Sequence, residues 1–553
     1  MKAGLTGRDP VHSLISSMAT FPALLQDIVQ PPPNRLSVLQ IAIVLLAGCA
    51  HAASMAWPFS FGLTQGTPLG WLQVLALALF AAQLDGCRSW RSAAWLGGLF
   101  ATAMLCATFW WLFISLHVYG GLAAPLTVLA VVLLGTLLGL YYAAAAVLFV
   151  LLAPANRGLR ALVFAALWLF AELARVKFFT GFPWGEGGYA HVDGWARPLA
   201  AWVGVHGLTF MAAFVAAALA FCLRAGRTRW LAALGLLVLG TVLARLPVQG
   251  VQGFSAGEMP QPGALTVTLL QGNIAQDEKF QSGTGVADAL RWYGKELREA
   301  KGALVVAPET ALPLLPEQLP DGYWAALQSR FAGGQQAALI GVPLGSFEAG
   351  YSNSVVGFKP PGASAAPEPY RYDKHHLVPF GEFVPPGFRW FIDLMHIPLG
   401  DFNRGAVGQA SFDWQGQRLA PNICYEDLFG EELGARFIDP ALAPTVFVNV
   451  SNIGWFGNTV AIDQHLQISR MRALEFARPM IRATNTGATV IIDHLGQVTH
   501  SLPRHTRGVL IGDVQGRNGI TPYAWWAARY GLWPLGGLCL LVVGLAFAFR
   551  RRR

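Results

Sequence analysis

The segment Pro421-Asn422-Ile423-Cys424-Tyr425-Glu426-Asp427 decides how the soluble part of this chain is built. The apolar run Leu419–Cys424 is predicted to be a strand, and the polar residues after the cysteine open a loop. Layered α/β folds place their reactive groups at such strand ends. Cys424 is therefore either a small buried hydrophobe or a nucleophile, and its surroundings decide between the two.

Composition divides the 553 residues into a membrane part and a soluble part. Hydrophobic residues make up 54% of the chain and charged residues only 13%, whereas soluble proteins carry about 25% charged residues. The excess apolar surface is expected to lie in lipid. Much of the net charge of +8 lies in short loops between apolar segments and in the terminal Arg550–Arg553. This distribution indicates a membrane topology signal rather than a nucleic-acid surface.

About eight apolar stretches are long enough, or nearly so, to cross a bilayer as helices. They lie near residues 38–56, 70–84, 94–116, 122–153, 159–179, 198–223, 230–246 and 530–549. Basic residues occur in alternate loops, and positively charged loops stay in the cytoplasm. We therefore expect a cytoplasmic tail at 1–37, a membrane domain of about seven helices at 38–246, a last helix at 530–549 and a basic cytoplasmic end at 550–553.

Region 247–529 is predicted to be a layered α/β domain, because strand-like and helical runs alternate in it. The basic loops place it outside the membrane, which for a bacterial inner membrane is the periplasm. The strand candidates are Leu265–Gln271, Ala303–Ala307, Ala337–Val342, Asn353–Phe358, Leu419–Cys424, Thr445–Val450, Thr489–Asp493 and Val509–Val514. The helical candidates are Val286–Ala300, Tyr323–Phe331 and Asp463–Ala477. Of the six cysteines, Cys424 alone falls in this region. An unpaired thiol in an oxidising compartment favours a functional role.

Two further motifs place charged side chains near strand-like runs. Ala307-Pro308-Glu309-Thr310 ends one of them, and Tyr372-Asp373-Lys374-His375-His376 lies in a similar setting. A nearby ammonium favours the nucleophilic thiolate, and a carboxylate can accept the thiol proton. Taken singly, Glu309 also fits a helix cap, Lys374 a solvated loop and Cys424 a buried apolar site.

Together, these motifs resemble the carbon–nitrogen hydrolase (nitrilase) superfamily, and most closely its membrane branch, the apolipoprotein N-acyltransferases. The segments that carry the resemblance are Phe182-Pro183-Trp184, Leu270–Ile274, Pro308–Ala311, Lys374–Glu382, Ile423–Glu426, Trp455–Gly457, Arg478-Pro479 and Ala483–Gly487. The resemblance covers nearly the whole chain and implies an α-β-β-α sandwich for the soluble domain. One departure is Asn452-Ile453, where family members often carry an Asn-Asp pair.

The resemblance implies the roles of the central residues. Glu309 is implied to be the general base and Cys424 the nucleophile. Lys374 is implied to stabilise the oxyanion, with the Tyr425 backbone N–H as a second donor. The result would be a glutamate–lysine–cysteine triad in this chain order.

Supporting roles follow from the same resemblance. Glu382 is implied to be the second glutamate of the family, which orients the lysine or the catalytic glutamate. Asn353 and Glu426 are either supports of the triad or plain hydrogen-bonded loop residues. Gln271, within one of the resembling segments, is a candidate substrate contact.

Three residues are candidate lipid contacts. The aromatic stretch 383–399 is either a soluble core helix or a lid that dips into the lipid interface. Within it, Arg389 is a candidate for binding a lipid phosphate, and Trp390 is a second candidate contact. Trp184 is expected at the outer membrane–water interface, either as an anchor or as part of a substrate channel.

The activity implied by the resemblance is a two-step acyl transfer that requires no metal or nucleotide cofactor. Cys424 takes an acyl chain as a thioester from a phospholipid, for which phosphatidylethanolamine is the expected donor. The α-amine of the diacylglyceryl-cysteine of an apolipoprotein then receives the chain. No nucleic-acid partner is expected.

Two alternatives stay open, and both are compatible with the apolar helices. One is a membrane-tethered amidase or nitrilase that hydrolyses a small amide. The other is a non-catalytic lipid-binding or transport protein, for which Glu172 and Arg175 supply ionisable residues within a span. No metal site is expected, because His375 and His376 would point to opposite faces of a strand and His465 stands apart from other ligand types.

Overall fold

The computed structural model describes residues 36–222, 235, 262–361, 369–385, 387–389 and 401–551. Three predictions therefore fall wholly or largely outside the described residues. They are the N-terminal tail, the helix at 230–246, and the aromatic stretch at 383–399 with Trp390.

The membrane part begins with six apolar helices. They are α1 (Val38–Met55), α2 (Gly70–Asp85), α3 (Trp90–Phe109), α4 (Ala124–Leu152), α5 (Arg157–Lys177) and α6 (Ala200–Cys222). Most lie where the apolar stretches predict them. The predicted 94–116 helix is divided, since α3 ends at Phe109 and a short π-helical turn occupies Ile114–Tyr119.

Twelve strands are described in the soluble domain. They are β1 (Ala264–Gln271), β2 (Leu304–Ala307), β3 (Ala337–Ser346), β4 (Gly350–Phe358), β5 (Tyr370–Asp373), β6 (Phe412–Trp414), β7 (Gln417–Ile423), β8 (Val446–Ser451), β9 (Met480–Thr484), β10 (Val490–Ile492), β11 (Val498–Ser501) and β12 (Gly508–Gln515). They form two six-stranded sheets, in the orders β12-β1-β2-β3-β4-β5 and β11-β10-β9-β8-β7-β6. Every predicted strand occurs with shifted ends, whereas β5, β6, β9 and β11 were not predicted.

The two sheets stack, and helices cover both outer faces. Apolar side chains from both sheets share one buried core between them, including Leu269 of β1 and Val448 of β8. The helices α7 (Gly285–Glu299) and α8 (Tyr323–Ala332) cover the first sheet. The second sheet is covered by α9 (Gly430–Gly434), α10 (Val460–Phe476) and α11 (Pro522–Tyr530). This layering is the α-β-β-α sandwich that the family resemblance implies.

The chain returns to an apolar helix at its end, α12 (Trp533–Arg551), which follows α11 after a bend of 89°. Among the described residues, four helices are long and apolar enough to cross a membrane, or five if this bent pair counts as one span. The protein is therefore a membrane protein with an attached α/β domain, and its full number of spans stays a prediction.

The soluble domain packs on the membrane helices through α10, which positions the site close to the membrane part. Ile468 of α10 belongs to the same buried core as the residues of α6. Gln467 donates a hydrogen bond of 2.9 Å to the carbonyl of Gly66 in the α1–α2 loop. Gly204 bends α6 with φ +67, and a Cβ there would lie 2.2 Å from the ring of Tyr523. Only glycine permits this close contact between the two domains.

Candidate active site

Strand ends bring Glu309, Lys374 and Cys424 together at one edge of the sandwich. Glu309 follows β2 and Lys374 follows β5, both in the first sheet, while Cys424 follows β7 in the second. The charges of Glu309 and Lys374 both act on the Cys424 thiol, so the three groups lie near one another. A carboxylate, an ammonium and a thiol in one place can activate a nucleophile and stabilise an oxyanion.

The Glu309 carboxylate is buried, and both of its oxygens accept hydrogen bonds. Its Oε1 accepts hydrogen bonds from Asn353 Nδ2 at 2.7 Å and from Lys374 Nζ at 3.4 Å. Its Oε2 accepts from the backbone N–H of Asn452 at 2.8 Å. Burial opposes ionisation, but the Lys374 charge and these hydrogen bonds outweigh it and lower the pKa of Glu309. The residue is therefore an ionised base at neutral pH.

Lys374 lies between two carboxylates in the interior of the site. Its side chain is 1% exposed, and Nζ lies 2.9 Å from the Glu382 carboxylate and 3.4 Å from that of Glu309. Burial disfavours the ammonium, but the two carboxylates outweigh this effect and raise the pKa of Lys374 above its usual value. Lys374 therefore remains a fixed positive charge under physiological conditions.

Asn353 of β4 joins the two glutamates. Its Nδ2 donates to Oε1 of Glu309 and to Oε1 of Glu382, each at 2.7 Å. The second oxygen of Glu382 accepts from the backbone N–H of Val378 at 2.8 Å, within the same loop. The structure thus brings together Glu309, Asn353, Lys374 and Glu382, all of which the sequence predicts as site residues. We call these four residues the catalytic cluster.

Cys424 has an unusual backbone conformation. It follows β7 with φ +50, in the left-handed region that non-glycine residues seldom adopt. Asn449 Nδ2 lies 3.3 Å and His465 Nε2 3.2 Å from the Cys424 carbonyl oxygen. His465 itself contacts Asp427 at 2.8 Å and Arg482 at 2.7 Å, so it is part of a buried network rather than isolated. A strained backbone conformation that surrounding hydrogen bonds stabilise is typical of functional positions.

The Cys424 thiol is protonated in the resting enzyme. The residue keeps part of its surface accessible, yet burial, followed by the charge of Glu309, raises the pKa of the thiol to about 12. The sequence predicts that a nearby ammonium favours the thiolate. Lys374 does act in that direction, but its charge is shared with two carboxylates and is outweighed. Burial and the Glu309 charge therefore keep the proton on the thiol when no substrate is bound.

Glu426 connects the cysteine turn to the lysine loop. One oxygen accepts from the backbone N–H groups of His375 at 2.7 Å and His376 at 3.3 Å. The other accepts from the N–H of Ile423 at 2.6 Å and the hydroxyl of Tyr372 at 2.8 Å. The two histidines lie in a bend after β5, so the prediction that they lie on a strand is wrong. Glu426 thus fixes the position of the cysteine turn relative to the loop that carries Lys374.

Tyr425 links the site to the membrane part. Its hydroxyl donates to the carbonyl of Gly181 at 3.2 Å, in the loop after α5. Its ring stacks with that of Phe182, with centroids 6.3 Å apart. Tyr425, the residue after the cysteine, therefore directly contacts Phe182-Pro183-Trp184, one of the segments that carry the family resemblance.

Trp184 is buried under the soluble domain rather than exposed as a lipid anchor, and its predicted position at the membrane–water interface stays a prediction. The residue is 3% exposed, and its Nε1 donates to Gln464 Oε1 at 2.8 Å. Trp111 donates to the same oxygen at 3.0 Å, and the Trp184 ring lies 5.4 Å from the ring of His465. The sequence gives no sign of this location, because the partners lie on the distant helix α10.

Two candidate substrate contacts bind other parts of the soluble domain. The side chain of Arg389 is 80% exposed and pairs with Asp401 at 3.2 Å. The buried Gln271 donates from Nε2 to the carbonyls of Pro503 at 2.8 Å and Thr506 at 2.7 Å. Gln271 therefore holds a neighbouring loop, and Arg389 remains accessible to a ligand.

Lys279 is a buried residue of this site that the sequence analysis did not identify. Its ammonium donates to the Glu309 carbonyl at 3.1 Å and to the Thr310 hydroxyl at 2.6 Å. The surrounding Gln276-Asp277-Glu278-Lys279 is polar and typical of a solvated surface. Its position after the Leu270–Ile274 segment is the one signal that links it to the site.

One group of potential metal ligands lies in the membrane part. Among the described residues, Glu172, Glu186 and His206 place ligand atoms within 4.8 Å of one another. The two ring nitrogens of His206 lie 3.1 Å from Glu172 and 3.6 Å from Glu186. The His206 ring lies between the two carboxylates as in an internal ion-pair network, although both Glu186 oxygens are buried without a hydrogen-bond partner.

Comparison with known families gives the class of the soluble domain. Residues 266–522 match the family model for carbon-nitrogen hydrolases. Together with the two-sheet sandwich and the convergent glutamate, lysine and cysteine, this match places the domain in the carbon–nitrogen hydrolase class of enzymes.

The membrane part makes the assignment specific. Residues 52–218 match the model for the apolipoprotein N-acyltransferase N-terminal domain. A relative named apolipoprotein N-acyltransferase from Verminephrobacter eiseniae is 60% identical over 508 residues, covering 89% of this chain and 93% of the relative. One of the same name from Ralstonia nicotianae is 42% identical over 550 residues, covering 98% and 99%. The chain belongs to the apolipoprotein N-acyltransferase family.

Proposed function

We propose that this enzyme transfers an acyl chain from a phospholipid to the N-terminal amine of the diacylglyceryl-cysteine of apolipoproteins, through a thioester on Cys424. The observation that carries the proposal is an ionised Glu309 and a buried Lys374 ammonium beside a protonated thiol. The direct contact of the next residue, Tyr425, with a loop of the membrane part supports a lipid donor.

In the first half-reaction the thiol of Cys424 attacks the ester carbonyl of the phospholipid. Glu309 accepts the thiol proton as the S–C bond forms. The ammonium of Lys374, together with the Tyr425 backbone N–H, stabilises the oxyanion of the tetrahedral intermediate. When the C–O bond breaks, Glu309 returns the proton to the leaving alkoxide, and a lysophospholipid departs.

In the second half-reaction the free α-amine of the lipoprotein attacks the thioester carbonyl. Glu309 takes a proton from the attacking nitrogen, and the same two donors stabilise the second oxyanion. The C–S bond then breaks, the proton returns to sulfur, and the amide product leaves. The resting thiol and carboxylate are restored, so no external base or cofactor is consumed.

The arrangement in the membrane is part of the proposal. We place the membrane domain at 38–246 with about seven spans, the catalytic domain at 247–529 in the periplasm and the last span at 530–549, in the bacterial inner membrane. The alternating basic loops support this topology. Phosphatidylethanolamine is the proposed donor, and Arg389, which is exposed beside Asp401, is the proposed contact for its phosphate.

The ionisable residues of α5 have a structural explanation that does not involve transport. Arg175 donates to the carbonyls of Phe182 at 2.9 Å and Trp184 at 2.5 Å. Glu172 accepts from the N–H of Gly187 at 3.0 Å. Both side chains therefore hold the loop that lies against the catalytic domain, which argues against the transporter alternative.

The test is a complete reaction with purified enzyme in mixed micelles. Labelled phosphatidylethanolamine and a diacylglyceryl-cysteine peptide are supplied, and N-acyl peptide and lysophospholipid are measured by mass spectrometry. We expect both products in equal amounts with wild type and neither with Cys424→Ala. Hydrolysis of a small soluble amide, without transfer from lipid, would instead support the amidase alternative.

A further inference from the structure

Lys279 is buried in a segment between β1 and α7, against the turn that carries Glu309. The residue is 2% exposed, and its hydrogen bonds to the Glu309 carbonyl and the Thr310 hydroxyl hold both sides of that turn. Thr310 has φ +46, a conformation that a threonine seldom adopts. A hydrogen bond of 2.6 Å to its side chain stabilises this conformation, and with it the direction of the Glu309 side chain.

The charge balance of the catalytic cluster gives Lys279 a second role. Glu309 and Glu382 bring two negative charges and Lys374 one positive charge, so the cluster carries one net negative charge beside Cys424. An unbalanced negative charge opposes loss of the thiol proton. Lys279 interacts electrostatically with both Glu309 and Cys424, and its charge would neutralise the excess.

Lys279 can carry this charge at neutral pH. Burial lowers its pKa to about 8, against the opposing effects of Glu309 and Cys424. Among the described residues, those two are the titratable groups whose charges act on Lys279. The thiol in turn faces Glu309, Lys374 and Asp427, and it also acts on Arg482.

We propose that Lys279 is a positioning residue that fixes the Glu309 turn and supplies the second positive charge that Cys424 needs to lose its proton. The proposal rests on the proposed roles of Glu309 and Cys424. It assigns Lys279 no contact with substrate. A purely structural lysine would change the stability of the protein but not the pH dependence of the thiol.

Two variants and one control test the proposal. Lys279→Met removes the charge and the hydrogen bonds, whereas Lys279→Arg keeps the charge. Lys295→Met is the matched control, because Lys295 lies on α7 with 57% of its side chain exposed. For each protein the rate of thioester formation with phosphatidylethanolamine and the pH dependence of Cys424 alkylation by iodoacetamide are measured, together with the thermal midpoint.

We expect Lys279→Met to form the thioester about 10- to 100-fold more slowly, because a charge that favours proton transfer is lost. Its alkylation profile should move to higher pH by about one unit. Because Lys279→Arg keeps the positive charge, it should stay within about fivefold of wild type, and Lys295→Met should match wild type in both measurements.

Wild-type thioester kinetics and alkylation in a folded Lys279→Met protein would overturn the inference. So would an Arg variant as slow and as shifted as the Met variant, because charge would then not matter. If Lys279→Met does not fold, Lys279→Gln removes the charge but keeps a hydrogen-bond donor, and wild-type thioester kinetics and alkylation there would also overturn it. Absence of a thioester in wild type would contradict the proposed function itself, which keeps the two failures distinct.

Discussion

Two buried ionic clusters lie on either side of the contact between the membrane part and the catalytic domain. The catalytic cluster combines two carboxylates with one ammonium and an amide, next to a thiol. The second group, which we call the bundle cluster, consists of Glu172, Arg175, Glu186 and His206. Both exclude solvent and both contain opposite charges, yet their outer contacts differ.

The difference lies in what each cluster holds. The bundle cluster makes its outer hydrogen bonds to backbone groups, because Arg175 and Glu172 bind the loop that contains Trp184. The catalytic cluster ends at Cys424, the proposed nucleophile, which lies in a left-handed turn. Buried charges of the same types can thus serve structure in one place and chemistry in the other. Loss of a residue should therefore affect stability in the bundle cluster and turnover in the catalytic cluster.

The largest effect is expected from Glu309→Gln. Glutamine keeps the size of the side chain but cannot accept a proton, so turnover should fall by about 10³- to 10⁴-fold. A smaller loss of thermal stability is also expected, because the lowered pKa of Glu309 contributes to the free energy of folding. Glu317→Gln is the matched control, because Glu317 is an exposed glutamate in the same region and should behave as wild type. A Glu309→Gln enzyme with more than a tenth of wild-type turnover would exclude Glu309 as the base.

Arg175→Met should instead reduce stability. Removing one partner of a buried ion-pair network leaves unpaired carboxylates and costs about 3–5 kcal/mol in the free energy of unfolding. Thermal unfolding in detergent, with thioester formation per folded molecule as the second measurement, separates the two effects. We expect acylation per folded enzyme to fall less than tenfold. If Arg175→Met kept wild-type stability but lost acylation, Arg175 would act in catalysis, and the proposed difference between the two clusters would be wrong.

The pH dependence of acylation should follow Glu309. Its pKa is lowered by Lys374 against the effect of burial, so the carboxylate is ionised and active above this lowered value. Thioester formation should therefore stay constant from about pH 7 down to about pH 5 and fall only below the usual glutamate pKa. The same shift makes Glu309 contribute stability above the unfolded pKa, which is lost as the pH falls through the folded pKa. A decline centred near pH 7 would point to a different base.

The smallest effect is expected from Arg389→Ala. The side chain is exposed, and its ion pair with Asp401 is worth less than about 1 kcal/mol, so stability should hardly change. If the guanidinium binds the lipid phosphate, KM for phosphatidylethanolamine should rise about two- to fivefold at constant kcat. Steady-state kinetics with the lysolipid product as readout measure this. An unchanged KM would remove Arg389 from the substrate site.

Local sequence patterns predict much of the fold, because apolar runs and their periods decide strands and helices. All eight predicted strands of the soluble domain occur, and so do the three predicted helices. The unpredicted strands β5, β6, β9 and β11 are only three to five residues long. Strands this short depend on their neighbours in a sheet, which local sequence does not reveal.

Site residues in motifs at the ends of strands can be predicted from the sequence. Site residues whose burial depends on tertiary contacts cannot. Glu309 and Cys424 stand at strand ends that the pattern locates, whereas Lys374 follows β5, which the pattern does not predict, and was identified from its motif. Lys279 lies in a polar segment, and Trp184 is covered by a helix almost three hundred residues further along the chain. Burial of either residue depends on partners that no local pattern identifies.

The most direct test of the central claim is the mass of the intact enzyme after mixing with phosphatidylethanolamine. We predict a gain of one fatty-acyl group that hydroxylamine removes, and no gain with Cys424→Ala. We further predict that the adduct disappears when a diacylglyceryl-cysteine peptide is added, with N-acyl peptide formed in its place. No adduct on the wild type, together with activity of Cys424→Ala in cells, would contradict the thioester mechanism.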